Sequence, residues 1–252
     1  MDSESRQRMI LEFTLTRGRV EVSALAEELD VALETVRRDL KTLANRRQLK
    51  RVHGGAIPLE IVAFHPGVEY RRGVDLAHKH RIAAAAVELL RGATTVFLDA
   101  GYTSRLIAER LVNKELTVIT PSLLAAEAFV VSSTATVLLL GGRIRGSALS
   151  TADHWTLEML RSFNIDLAYL EAKSISIEHG ITTCDPADAA VKQSAVRATR
   201  RRILIAADSM LESESLTRFA EVSEFEAMVT GPELSNTDAN LYETAGTVVI
   251  RA

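Results

Sequence analysis

The sequence predicts an α/β chain of two unequal domains, and three observations carry that expectation. Residues 76–252 alternate apolar strand runs with amphipathic helical runs, residues 1–57 hold short helical periods and a small hairpin, and 58–75 has neither period. That middle stretch contains Pro66, Gly67, Gly73 and mixed charges, the composition of a linker. The expected division is therefore 1–57, 58–75 and 76–252.

The first elements follow from spacing. Met9, Ile10 and Phe13 recur at helical intervals over 5–16, and Gly18 supplies a stop. Val22, Leu25, Ala26 and Leu29 then share one face of a two-turn helix, with Glu27 and Glu28 outside. After the tight connection Asp30-Val31-Ala32, Leu33, Val36, Leu40 and Leu43 recur at i, i+3, i+7 and i+10 in a third helix over 33–46. Its other face carries Thr35, Arg37, Arg38 and Lys41. Two short helices about a tight turn, the second apolar inside and basic outside, form a helix-turn-helix. Leu49-Lys-Arg-Val-His-Gly-Gly-Ala-Ile57 alternates and then offers Gly-Gly to a tip that needs positive φ, so a hairpin wing is expected.

Charge is distributed to match. The whole chain has a formal net charge of −3, yet residues 1–57 hold 11 Lys+Arg against 9 Asp+Glu, and 58–252 hold 19 against 24. Between Val31 and Ile57 seven basic residues face only Glu34 and Asp39. A charge run alone more often just solvates a helix, but here it coincides with helix-turn-helix spacing and a basic hairpin. Double-stranded DNA is the expected partner: Lys50, Arg51 and His53 on backbone phosphates, Thr35, Arg37 and Arg38 toward base edges and flanking phosphates, and Lys41 on the same DNA-binding face.

Composition narrows the remaining classes. At 252 residues, 47% hydrophobic and 25% charged, the chain can bury one large or two unequal cores. Its apolar runs fall short of the ~20 residues a membrane span needs, and no leader opens it, so a cytoplasmic location is expected, without a membrane partner. Cys184 is the only cysteine, which excludes an intrachain disulfide and cysteine-rich zinc or iron–sulfur sites. His78, His80, His154 and His179 show no metal-ligand spacing, so neither metal nor cofactor is expected.

In the larger domain a helix is expected over 77–90, strands over 95–98, 116–120, 136–140, 166–171, 202–206, 227–230 and 247–250, and further helices over 104–111, 123–130, 154–163, 187–199 and 237–244. Apolar strands alternating with helices give a doubly wound, mainly parallel sheet, whose ligands sit beyond the carboxyl ends of strands. Several exits carry suitable residues. Leu98-Asp-Ala-Gly-Tyr-Thr-Ser104 places Asp99, Gly101, Tyr102, Thr103 and Ser104 before a helix whose free N–H groups favour an anion such as phosphate. Thr120 and Ser122 end the next strand, and Gly141-Gly-Arg-Ile-Arg145 brings Gly142 and Arg143. Gly180-Ile-Thr-Thr-Cys-Asp-Pro-Ala-Asp188 enters a helix bearing Lys192 one turn beyond Asp188. Each has a plainer reading: Asp99, Thr103 and Ser104 as caps, Asp188–Lys192 as a surface i,i+4 pair. Their shared position at strand exits favours a common site.

The run from Val22 through Thr35-Val-Arg-Arg-Asp-Leu40 to Val52-His-Gly-Gly-Ala56 resembles the N-terminal signature of DeoR-family repressors. Asp99-Ala-Gly-Tyr-Thr-Ser104, Leu140-Gly-Gly-Arg143 and Gly180-Ile-Thr-Thr183 with Asp188-Ala-Ala-Val-Lys192 resemble the sensor domain of that family, so the likeness covers nearly the whole chain. The resemblance implies a sensor similar in fold to ribose-5-phosphate isomerase and glucosamine-6-phosphate deaminase, with Asp99, Gly101, Thr103, Ser104 and Lys192 around a sugar-phosphate effector. Departures fall in the same crevice. Leu170-Glu-Ala-Lys-Ser174 stands where the family has Gly-Ala-Asp-Gly, placing Glu171 and Lys173 at the site; Pro121 replaces the usual asparagine; no lysine lies near Leu211. Trp155, the only tryptophan, suits either a sugar face or packing in a core or interface.

The resulting expectation is a DNA-binding repressor of a carbohydrate or related catabolic operon, not an enzyme. It would act as a dimer or tetramer, since one winged helix reads one half-site. The alternative is a sugar-phosphate isomerase or deaminase using Asp99, Asp185 or Asp188 with Lys192, but no acid/base pair stands out.

Overall fold

The computed structural model describes residues 2–17, 20–46, 48–52, 54–57, 76–130, 133–146, 148–207 and 210–252. The expected linker, together with His53 and Asp208, lies outside the described residues. The chain divides into two compact units, Met1–Tyr70 and Arg71–Ala252.

In the smaller unit, α1 (Ser3–Arg17), α2 (Val22–Glu28) and α3 (Leu33–Asn45) enclose a core of Ile10, Leu11, Leu25, Leu29, Val36, Leu40 and Leu43. Asp30 adopts φ +49° between α2 and α3, a left-handed turn that a short polar side chain tolerates. The strands β1 (Val20–Glu21), β2 (Lys50–Val52) and β3 (Gly55–Ile57) form an antiparallel sheet in the order β1-β3-β2. The two wing glycines do different work. Gly54, at φ +76°, supplies the turn, whereas a β-carbon on Gly55 would overlap the Val20 carbonyl across the sheet.

The larger unit is built on a seven-stranded sheet with every neighbouring pair parallel. Its strands are β4 (Thr95–Leu98), β5 (Thr117–Thr120), β6 (Thr136–Leu139), β9 (Ile165–Glu171), β12 (Thr199–Ile205), β14 (Ala227–Thr230) and β15 (Val248–Arg251). The order is β15-β14-β12-β9-β4-β5-β6. The chain runs outward from β4 in one direction and from β9 in the other, so the topological switch point lies between these two strands.

Helices cover both faces, as buried two-sided strands require. On one side Phe97, Ile119, Ala168, Leu170, Leu204 and Met228 pack with α7 (His154–Arg161), α8 (Pro186–Ala198) and α9 (Asn236–Thr244). On the other, Tyr169 points from β9 to α4 (Leu76–Glu88) and donates its hydroxyl to the Ala86 carbonyl at 3.0 Å. Helices α5 (Tyr102–Leu111) and α6 (Leu123–Glu127) follow β4 and β5, α6 being shorter than its expected span.

Two features were not anticipated. Strands β10 (Ser174–Ser176), β11 (Gly180–Thr183) and β13 (Thr217–Ala220) form a separate antiparallel sheet, and β7 (Ile144–Arg145) pairs with β8 (Ser150–Thr151). Gly180–Thr183, read from sequence as a lead-in to a helix, is thus a strand buried along its whole length. Trp155 is 68% exposed, which removes the core-packing reading for it.

Candidate functional site

In the smaller unit, α3 sorts its residues by face. Val36, Leu40 and Leu43 point inward, whereas Arg37, Arg38 and Lys41 are exposed and Thr35 is half-buried. Arg37 reaches Glu34 at 3.3 Å across the exposed surface. Arg51 of β2 is also exposed, and Lys50 begins that strand. Asp39, one of only two acids counted in the basic stretch, faces inward. It is 3% exposed and accepts hydrogen bonds from Arg6 Nε at 2.6 Å and Gln7 Nε2 at 2.8 Å, tying α3 to α1. Its carboxylate therefore braces the helix and leaves the outer face basic.

In the larger unit, the switch point gathers a buried polar cluster. Asp99 directly follows β4, Glu171 ends β9, and Asp188 and Lys192 come from α8. Lys192 is fully buried and donates to Asp99 Oδ2 and, at 2.9 Å, to the Glu171 carbonyl; Asp188 Oδ2 lies 3.9 Å away. Asp99 also accepts from the backbone N–H groups of Ala100 (2.7 Å) and Glu171 (2.9 Å). The Asp188–Lys192 pair is thus internal, not the surface pair its spacing also suits.

The charges hold one another. Burial lowers the proton affinity of Lys192, but Asp188, Asp99 and Glu171 raise it above the ordinary lysine range, so it is an ammonium. Burial would likewise push Asp188 up, yet Lys192, Lys173 and Arg145 hold its carboxyl below the usual range. Asp99 is pushed upward by burial, against the pull of Lys192.

Arg145, which the sequence reading quoted but did not assign, closes the cluster. It pairs with Asp185, the N-cap of α8, and reaches Asp188 at 3.3 Å. Thr183 donates to Asp188 at 3.0 Å. The signal was available: Arg145 lies two residues past Arg143 on the same strand exit, but Arg143 precedes the strand Ile144–Arg145 and only Arg145 reaches the acids at the start of α8.

The other expected residues divide in two. Thr103 and Ser104 are buried at the start of α5 with Tyr102, and Glu171 Oε1 accepts from the Ser104 N–H at 2.7 Å. Thr120 and Ser122 are structural at this end of β5: Thr120 Oγ1 donates to the Leu98 carbonyl, and Ser122 Oγ caps α6 by accepting from Ala125 N–H. Gly142 and Arg143 are exposed and anchored to the start of α7, where Asp153 accepts from the Arg143 N–H at 2.8 Å. A β-carbon on Gly142 would press on Asp153 and Thr156. Lys173, two residues after Glu171, is half-buried, with its charge felt at Asp188. Among the described residues no cluster of His, Cys, Asp and Glu suits a metal ion, and no helix is long and apolar enough to cross a membrane.

A family model for the DeoR C terminal sensor domain matches residues 75–232, and one for the DeoR-like helix-turn-helix domain matches 6–61. The chain belongs to the DeoR family. Members similar along nearly the whole of this regulator include the HTH-type transcriptional regulator GlpR of Haloferax volcanii, 29% identical over 246 residues, covering 97% of this chain and 96% of the relative. The HTH-type transcriptional repressor GlcR of Bacillus subtilis is 29% identical over 233 residues, covering 91% and 89%. The glycerol-3-phosphate regulon repressor of Escherichia coli is 26% identical over 231 residues, covering 91% of each. Among solved structures, ribose 5-phosphate isomerase A of Methanocaldococcus jannaschii overlaps 53% of each chain at 17% identity with a TM-score of 0.38, too partial a likeness to carry an argument. The family and these relatives are those of DNA-binding transcription regulators, so this DeoR-family chain is a regulator rather than an enzyme.

Proposed function

We propose that this regulator is a cytoplasmic repressor of a carbohydrate or related catabolic operon. It grips operator DNA through 1–57 and lets go when a phosphorylated sugar or sugar-phosphate derivative binds in 76–252. The observation that carries the DNA half is the sorted face of α3: Arg37, Arg38 and Lys41 stand exposed opposite Val36, Leu40 and Leu43, beside a wing that exposes Arg51. Such a face suits a major groove, with the wing on flanking phosphates. The sensor half is supported by the polar cluster around Asp99 and Lys192, which lies at the switch point where doubly wound sheets bind ligands. That two relatives are named repressors, one of a glycerol-3-phosphate regulon, favours repression and a phosphorylated carbohydrate. A homo-oligomer, dimer or tetramer, supplies paired half-sites.

The test combines fluorescence-anisotropy binding to the operator upstream of the regulated genes with a panel of sugar phosphates. Arg38→Ala should weaken specific binding by about 1–3 kcal/mol if it reads a base. The effective sugar phosphate should weaken DNA binding by a coupling of about 1–3 kcal/mol, and DNA should weaken effector binding equally. Operator affinity unchanged by Arg38→Ala would remove α3 as the reading helix, and affinity indifferent to every sugar phosphate would remove the effector.

A further inference from the structure

The start of α5 already holds an anion. The Ser104 N–H, one of the amides that a helix leaves without an intrahelical acceptor, donates at 2.7 Å to the side-chain carboxylate of Glu171. Glu171 is 6% exposed, so this carboxylate lies inside the fold. Gly101 makes room for it: a β-carbon there would overlap all three atoms of the carboxylate. The Gly101 backbone is fully extended at φ 171°, so the lack of a side chain serves the space it leaves open. Ser104 Oγ is also buried and has no hydrogen-bond partner, an unused polar group in the same turn.

An incoming anion cannot simply be added. The buried acids Asp99, Glu171 and Asp188 face buried Lys192 and, at the edge, Arg145. A phosphate at the Ser104 N–H would touch the Glu171 carboxylate. Like charges at contact in a buried site repel strongly.

We propose that Glu171 is a built-in competitor: its carboxylate occupies the anion seat at the start of α5, and a phosphorylated effector enters only by displacing it. This rests on the reading that the effector binds at this end of the sheet, and it adds the residue that sets how much phosphate is needed. Displacement also gives the ligand a lever. Glu171 is the last residue of β9, its N–H donates to Asp99, its carbonyl accepts from Lys192, and β10 begins three residues later.

The experiment is isothermal titration of the full chain, without DNA, using inorganic phosphate at constant ionic strength. Glu171→Ala should bind phosphate at least ten-fold more tightly than the parent, about 1.4 kcal/mol. Adding Gly101→Ala to Glu171→Ala puts a methyl group into the vacated seat and should abolish the gain. Parent binding as tight as that of Glu171→Ala, no gain in the variant, or a gain that survives Gly101→Ala would each overturn the proposal. If circular dichroism shows Glu171→Ala unfolded, Glu171→Gln serves the same comparison: an amide holds the Ser104 N–H less strongly than a carboxylate, and a gain of at least three-fold is expected, its absence being the refuting result. Because no operator is present, failure here leaves the DNA and sugar-phosphate tests of the repressor reading untouched, and failure there leaves the phosphate comparison intact.

Discussion

Replacing Lys192 by Met removes the charge while keeping a long side chain to fill the space beside the Phe219 ring, 5.5 Å from the ammonium. Lys192 is 0% exposed, Asp99 1% and Asp188 8%, so water cannot replace the lost cation at either carboxylate. Asp99 would keep the Ala100 and Glu171 N–H groups, and Asp188 would keep Thr183, Arg145 and the charge of Lys173. Breaking a buried pair by deleting one partner costs about 3–5 kcal/mol, and the unmatched Glu171 carbonyl adds about 1 kcal/mol, while the buried thioether offsets a part. The expected loss is about 3–4 kcal/mol in urea unfolding of the full chain, followed by far-ultraviolet circular dichroism. The loss should depend on pH. Burial already pushes Asp99 upward, and without Lys192 nothing comparable opposes it. A raised folded-state pKa contributes stability below the unfolded value near 3.8 and loses it as pH rises through the folded value. The gap between variant and parent should therefore shrink as pH falls from 8 toward 5. Adding Asp99→Asn should recover at least half of the loss. A cost below about 1 kcal/mol, flat with pH and additive with Asp99→Asn, would refute the ion-pair account of this cluster.

Three other outcomes follow from the geometry. Asp39→Ala strands Arg6 and Gln7 under α3 and should cost the smaller unit about 2–3 kcal/mol, seen as an earlier melting transition, with operator affinity falling although Asp39 is buried behind the basic face. Asp166 accepts from Thr94 N–H, Thr94 Oγ1 and Thr95 N–H, and these donors bring its pKa down to about 2. Its side chain is 32% exposed, so Asp166→Asn should cost about 1–2 kcal/mol at pH 7; that contribution is complete above 3.8, and it fades in the parent as pH falls through about 2. Gly54→Ala forces a β-carbon to φ +76° and should destabilise the wing by about 1 kcal/mol, read as faster amide exchange in β2 and β3.

The elements that sequence reasoning recovered are those whose periodicity is set by burial. Val36, Leu40 and Leu43 mark α3 because one stripe of a surface helix must face a core, whereas Leu33, counted with them in the sequence, is 46% exposed at the first turn. All seven strands of the parallel sheet were anticipated from short apolar runs; in the central strands β4, β5, β9 and β14 those runs are buried, whereas the edge strands β6 and β15 are largely exposed. The small sheet escaped because Ser174–Ser176 and Gly180–Thr183 are short, rich in Ser and Thr, and buried on both sides, so neither alternation nor an apolar run marks them. Trp155 shows the opposite limit: size and apolarity favour burial, but a side chain in the first turn of α7 goes where the turn directs it.

The amino-acid sequence by itself determined that a basic helix and wing precede a parallel α/β domain, that Asp99, Ser104 and Glu171 stand at or near strand ends and helix starts, and that Lys192 follows Asp188 by one turn within a helix. These follow from local period and charge, which adjacent residues carry. Only the tertiary structure decided that Glu171, 67 residues from Ser104, sits on its N–H, and that Asp39 belongs to the core while its neighbour Arg38 faces out. Strand order decides such meetings: β9 lies beside β4 although β5 and β6 come between them in the chain, and no local pattern encodes that neighbour.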